Sequence, residues 1–224
     1  MTSVEDAGFQ FLDGLLSPGI LSDLRNESDR LLGATHEAGI RSLVSRSPTM
    51  LGFAESKEVR DVIETCLGAS AFLARSILFD KHRNANWDVT WHQDTTIAVA
   101  ARRDEPGFGP WSIKDGVPHV RPPAAILSRM ITLRVHLDDT SVENGALFVI
   151  PGSHRHGILS ADEIARLVAG TPQVVCERGA GDAMLMRPLV LHSSKKSIFP
   201  TRRRVVHLEF ATGELPNGLA WKLC

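Results

Sequence analysis

The chain has 224 residues, 43% of them hydrophobic, enough to bury one substantial core, and one domain over residues 1–224 is expected. A formal net charge of −1 gives no footprint for nucleic acid or an anionic membrane, so the expected partner is a small molecule. Cys66, Cys176 and Cys224 are too few and scattered for a disulfide framework or a cysteine-based zinc site and fit a reducing compartment. With a polar, acidic "MTSVEDAGFQ" start and no apolar run of membrane-spanning length, the expected location is the cytoplasm.

The first third reads as helical with one or two strands. After a short apolar run at Phe9–Leu12, "SPGILSDLRNESDRLLG" predicts a helix with Ser17 as N-cap, Pro18 at the first position, an apolar face of Leu21, Leu24, Leu31 and Leu32, and Gly33 as its stop. "SKEVRDVIETCLG" predicts a second, with Val59, Val62, Ile63, Cys66 and Leu67 on one face and Gly68 as C-cap, so the helices occupy about 17–68. From Ala71 to about 211 the pattern changes to short runs rich in Val, Ile, Leu and Phe: "AFLARSILFD", "TTIAVAA", "MITLRVHL", "ALFVIP", "AMLMRPLVLH" and "RRVVHLEFA". These are strands. Asn144-Gly145 in "VENG" predicts a hairpin before "ALFVIP". The stretch at about 102–123, rich in proline and glycine and almost without periodicity, predicts a long functional loop, a lid or recognition segment, since Phe108, Trp111 and Ile113 argue against plain disorder. Helices first and strands after imply a mainly β sandwich or jelly roll flanked by helices, and nothing in the pattern specifies an oligomeric state.

In a strand, residues i and i+2 share a face, so His92 and Asp94 of "WHQD" project together. Chance alone gives roughly half a His-x-Asp in a chain of this composition, and a second one occurs at His136 and Asp138. A third donor, His192, ends the apolar run "LMRPLVLH". Two histidines and one carboxylate leave three coordination positions open, the arrangement of non-heme Fe(II) oxygenases, with room for a bidentate 2-oxo acid and for dioxygen. If that acid is 2-oxoglutarate, its distal carboxylate needs a guanidinium, and "PTRRRVVHLEFA" offers candidates. Arg204 shares a face with Val206, Leu208 and Phe210, while Arg203 shares the other with Val205, His207 and Glu209. Apolar company favours Arg204 as the inward one, unless the barrel interior holds a polar ligand.

The blocks "FDK…NWDVTWHQD", "LDDTSVENGALFVIPGSHRHG" and "LMRPLVLHSS…RRRVVHLEFA", in this order from about Phe79 to Ala211, resemble the phytanoyl-CoA dioxygenase family, which includes bacterial ectoine hydroxylase. The resemblance implies a double-stranded β-helix of the cupin-like kind that binds Fe(II) and 2-oxoglutarate and uses O2. It implies His92, Asp94 and His192 as iron ligands, Arg203 rather than Arg204 for the distal carboxylate of 2-oxoglutarate, and Ser194 as a hydrogen-bond donor to the same group. Lys81 in "LFDKH" tips toward the pocket on the same grounds. Arg134 departs from the pattern, standing where some members carry tryptophan, and would bring a cation near the iron to bind the 2-oxo acid or an anionic substrate. The absence of tyrosine means that the aromatic contacts of relatives do not transfer wholesale.

The function expected is hydroxylation of a C–H bond in a small organic substrate, with succinate and carbon dioxide formed from 2-oxoglutarate. Asp94 occupies the position a halide would need, which disfavours halogenation. Two readings compete: a jelly-roll binding module without turnover, and a zinc hydrolase using the same three ligands and a metal-bound water. "PGSHRHG" offers His154 and His156 for zinc, but turn histidines are commonly just polar loop residues.

Overall fold

The computed structural model describes residues 3–35, 39–198 and 201–222; Cys224 lies outside them. The strands among these residues are β1 (Phe9–Leu12), β2 (Gly39–Arg41), β3 (Phe72–Lys81), β4 (Val89–His92), β5 (Ile97–Ala98), β6 (Trp111–Lys114), β7 (Val117–Val120), β8 (Met130–His136), β9 (Leu147–Val149), β10 (Val174–Cys176), β11 (Ala183–Met186), β12 (His192–Ser194) and β13 (Arg203–Ala211). The helices are α1 (Val4–Ala7), α2 (Pro18–Thr35), α3 (Pro48–Ala54), α4 (Lys57–Leu67), α5 (Ala124–Leu127) and α6 (Ala161–Gly170). A major sheet runs β1-β11-β8-β13-β3-β2, a second runs β10-β9-β12-β4, and β5, β7 and β6 form a small third one. From β8 to β13 the chain alternates between the first two sheets, except that β10 follows β9 in the second. This is jelly-roll winding, as expected.

Strand alternation sorts the layers. Val206, Leu208 and Phe210 of β13 join Leu78, Leu133 and Val135 in a core completed by Leu24 and Leu31 of α2, Met50 of α3, and Val59 and Ile63 of α4. The main apolar core therefore lies between the major sheet and the helices. The alternate residues of β13, Arg203, His207 and Glu209, face the space between the two sheets, with Lys81 opposite Arg203 and Arg134 opposite His207. Beside β9 and β11 that space is apolar, filled by Leu147, Val149, Met184 and Met186.

The helices start where the sequence predicts. Ser17 Oγ accepts from Ile20 N–H at 3.4 Å and Ser56 Oγ from Val59 N–H at 3.4 Å, and Gly68 follows the end of α4. However, Gly33 does not stop α2, which continues to Thr35. Burial of Leu31 and Leu32 in the same turn outweighs the roughly 1 kcal/mol that glycine costs a helix.

Four further expectations need correction. Asn144-Gly145 closes no hairpin: Val142–Asn144 is a 3-10 turn in which Asn144 Oδ1 accepts from Ser141 N–H at 2.8 Å, and the chain then crosses to β9 in the other sheet. Pairing with β8 is closed to β9 because β11 and β13 occupy both of its edges. "AMLMRPLVLH" is not one strand but two, β11 and β12, in different sheets; Pro188 lies in the break, and His192 begins β12 rather than ending a strand. "TTIAVAA" shrinks to the two residues of β5. The stretch at 102–123 is no structureless loop, because β6 and β7 form a hairpin that pairs with β5. Its turn, Asp115-Gly116, has φ of +48° and +76°, the positive values of a type I′ hairpin. Phe108 and Trp111 anchor it on an apolar cluster with Ile97, Val120 and Leu215.

Candidate active site

The second sheet brings two of the three donors into register. β4 and β12 are antiparallel neighbours, His92 is paired with His192, and their rings lie 4.2 Å apart between centroids. Asp94 lies just past the end of β4, where its N–H donates to the carbonyl of Pro188 at 2.8 Å. Gln93 points the other way and is locked there, its amide donating to the carbonyls of Gly157 and Leu189 at 2.8 Å each and its Oε1 accepting from Leu159 N–H at 2.9 Å. Alternation thus survives beyond the strand end.

Asp94 Oδ1 stands 3.8 Å from His92 Nε2 and Oδ2 stands 3.7 Å from His192 Nε2, spacings that an ion with bonds of about 2.1 Å can bridge. Both histidines donate from Nδ1 to a backbone carbonyl, His92 to Thr90 at 2.8 Å and His192 to Val190 at 3.0 Å, which leaves each Nε2 with its lone pair aimed at Asp94. Burial pushes His192 down to about 4, so its ring is neutral near pH 7. Burial by itself would raise Asp94, but His192, His207 and Arg75 more than offset it and hold the carboxyl well below the usual range. Among the described residues, this is the cluster of histidine and carboxylate groups arranged to hold a metal ion. The donor set fits a transition metal: two neutral imidazoles and one carboxylate, all on one side of the ion.

Below the triad lies a group of cations. Arg203 is buried; its Nη1 donates to the carbonyl of Gly145 at 2.5 Å and its Nε has no partner among the described residues. Ser194 Oγ donates to the same carbonyl at 2.8 Å. Lys81, fully buried, donates to Ser194 Oγ at 3.1 Å and to the carbonyl of Lys195 at 2.8 Å. Burial lowers Arg203 to about 9 and Lys81 to about 8. The glycine that signals a hairpin in "VENG" has another task here. A Cβ on Gly145 would lie 2.8 Å from the Lys195 carbonyl oxygen and 3.0 Å from Lys81 Nζ.

Arg204 points to the helices, where its side chain holds Asp138 Oδ1 at 2.8 Å and Asp29 at 2.9 Å. The apolar face it shares is a core face, but of the sheet-to-helix core, which is why apolar company misleads. The second His-x-Asp pair is divided. Asp138 serves Arg204, while His136 Nδ1 meets Thr140 Oγ1 at 2.9 Å inside the barrel. His154 and His156 sit in a 3-10 turn, with His154 donating from Nε2 to the carbonyl of Glu5 at 3.1 Å.

Arg134 is buried and its Nη1 donates to His207 Nδ1 at 2.9 Å; His207 in turn donates from Nε2 to Glu209 Oε1 at 2.9 Å, and Glu209 is ion-paired with Arg75. His207, Glu209 and Arg75 are not assigned roles by sequence reasoning, although alternation from Arg203 already places the first two on the inward face. A cavity of about 110 Å³ is lined by the triad together with Arg75, Arg134, Ser194, Arg203 and His207. It adjoins a larger one of about 440 Å³, with which it shares Ile77, Phe79 and Trp87. Asp115, in the β6–β7 turn, lines the larger cavity and pairs with Arg41 of β2 at 3.1 Å.

A double-stranded β-helix with two histidines and one carboxylate converging between its sheets defines the class of non-heme iron oxygenases. The chain belongs to the phytanoyl-CoA dioxygenase (PhyH) family, whose model matches residues 4–205. It is 26% identical to the ectoine dioxygenase of Nocardia farcinica over 96% of this chain and 77% of that one. Its fold matches that of EctD from S. alaskensis with 2-oxoglutarate and 5-hydroxyectoine, with a TM-score of 0.73 and 22% identity over 93% of this chain and 73% of that one. It also matches the epimerase SnoN in complex with Fe3+, alpha ketoglutarate and nogalamycin RO, with a TM-score of 0.71 and 18% identity over 96% of this chain and 88% of that one. No helix among the described residues is long and apolar enough to cross a membrane.

Proposed function

We propose that the protein is an Fe(II)- and 2-oxoglutarate-dependent oxygenase that hydroxylates a C–H bond of a small organic substrate, with His92, Asp94 and His192 holding the iron. The observation that carries this reading is the convergence of the three donors, each Nε2 left free by a backbone bond at Nδ1. The chemistry such a centre supplies is oxidative decarboxylation of 2-oxoglutarate coupled to insertion of one oxygen atom of dioxygen into the C–H bond.

The chain's own residues hold and orient the reactants. Arg203, whose buried Nε lacks a partner among the described residues, receives the distal carboxylate of 2-oxoglutarate, with Ser194 and Lys81 beside it. Depth favours the pairing, because a guanidinium shielded from water binds a carboxylate with little competition. The β6–β7 hairpin, touching β2 through Asp115 and Arg41, is placed to cover the mouth and limit water while substrate is bound. Hydroxylation, rather than epimerisation, is the outcome we assign, in keeping with the ectoine dioxygenase to which the chain is similar.

The test is an oxygen-free titration with Fe(II) and then 2-oxoglutarate. A visible charge-transfer band from the chelated 2-oxo acid, followed by substrate-stimulated succinate formation in air, is the expected result. No band together with no calorimetric 2-oxoglutarate binding would leave a binding module without turnover.

A further inference from the structure

The charges inside the pocket do not balance. Among the described residues, Arg134, Arg203 and Lys81 place three buried cations around it against the single carboxylate Asp94 in its lining, since Arg75 and Glu209 are paired with each other. On the reading proposed above, a divalent metal adds two positive charges and dianionic 2-oxoglutarate removes two, so the loaded pocket keeps a surplus of two. A buried charge without a partner is costly, and such a site draws in an anion.

Arg134 is where that anion is missing. The metal and Arg203 take the two carboxylates of 2-oxoglutarate. Arg134 lies opposite His207, four residues along the same face of β13 from Arg203, or about 13 Å of strand. Its Nε is buried with no partner among the described residues, and its Nη1 donates to His207 Nδ1 at 2.9 Å. That bond does not neutralise the guanidinium, because His207 accepts on Nδ1 and donates from Nε2 to Glu209, so the ring is uncharged. The approach is basic as well. Arg41 and Arg46 line the larger cavity, Lys114 lines the neighbouring cleft, and Asp115 pairs with Arg41.

We propose that the substrate is a small organic carboxylate whose negative charge is received by Arg134, which makes Arg134 a specificity-determining residue and not part of the 2-oxoglutarate seat. Phe79, beneath the Arg134 guanidinium at 5.8 Å, and Trp87 then border the carbon skeleton on its way to the metal.

The inference rests on the iron and 2-oxoglutarate reading, and the experiment separates the two. Matched pairs of probes, each a small aliphatic or cyclic carboxylic acid and its primary amide, are titrated calorimetrically into the oxygen-free protein loaded with Fe(II) and 2-oxoglutarate. At least one acid is expected to bind about tenfold or more tighter than its amide, and Arg134→Gln is expected to abolish that preference while 2-oxoglutarate affinity stays within about twofold. If no acid outcompetes its amide, the proposal is overturned, and this comparison needs only the wild-type protein. If Arg134→Gln instead weakens 2-oxoglutarate about tenfold and spares the acid preference, Arg134 belongs to the co-substrate and the proposal is equally overturned. Failure of the underlying reading shows itself differently, as a wild-type protein with no 2-oxoglutarate band at all.

Discussion

Arg203 and Arg204 are neighbours on β13 with opposite surroundings: Arg203 faces the pocket and donates to the carbonyl of Gly145 at 2.5 Å, whereas Arg204 is held by Asp138 at 2.8 Å and Asp29 at 2.9 Å. Their variants should part accordingly. Arg203→Ala is expected to weaken 2-oxoglutarate binding by about 2 to 5 kcal/mol, the range for removing one partner of a buried charged pair. Arg204→Ala should leave 2-oxoglutarate affinity nearly unchanged and lower stability by about 1 to 3 kcal/mol, because Asp138 then keeps only Arg25 at 3.6 Å and the backbone N–H of residue 204 at 2.9 Å. Calorimetry and urea unfolding on both variants check this; equal losses of 2-oxoglutarate affinity would mean the two faces of β13 are misassigned.

Gly145 should tolerate no side chain. Its φ of +88° disfavours any other residue, and a Cβ would crowd both the Lys195 carbonyl and Lys81. Gly145→Ala is expected to cost about 1 to 3 kcal/mol of stability. It should also weaken 2-oxoglutarate binding, because the carbonyl that receives Arg203 and Ser194 must move. A variant as stable and as tight-binding as wild type would contradict the close approach.

Stability should fall with acidification well before carboxylates titrate. Burial, reinforced by Arg134 and Arg203, lowers His136 to about 3. Its unfolded value is about 6.5, so between these limits the unfolded chain binds the extra proton, and stability drops as pH falls at up to about 1.4 kcal/mol per unit. Urea unfolding of the metal-free protein at about pH 7 and about pH 5 should show this slope, and His136→Leu, uncharged throughout, should reduce it. An unchanged slope in that variant would place the acid sensitivity elsewhere.

Much of this could be read in the chain itself. The long strands β3, β8 and β13, the caps Ser17 and Ser56, and the candidate donors His92, Asp94 and His192 all follow from periodicity, capping chemistry and ordered blocks. What misled was local pattern taken without its neighbours. Asn144-Gly145 has hairpin chemistry, but the edges of β8 are taken. Gly33 has stop chemistry, but its turn is docked by leucines. In the other direction, Asp115-Gly116 is a plain hairpin signal obscured by the surrounding prolines. Arg204 keeps apolar company because two cores flank the major sheet, and alternation cannot tell which of them holds the ligand. Alternation from Arg203 puts His207 and Glu209 on its face, but bringing Arg75 beside Glu209 needs the cross-strand register that only the fold supplies.

We propose that His92, Asp94 and His192, and not the second His-x-Asp pair, form the iron site. Oxygen-free Fe(II) titration of Asp94→Ala and Asp138→Ala, each confirmed as folded by circular dichroism, tests it most directly. Loss of Fe(II) binding and of the 2-oxoglutarate band in Asp94→Ala, with both retained in a less stable Asp138→Ala, is the predicted result; iron bound by Asp94→Ala and lost from Asp138→Ala would contradict it.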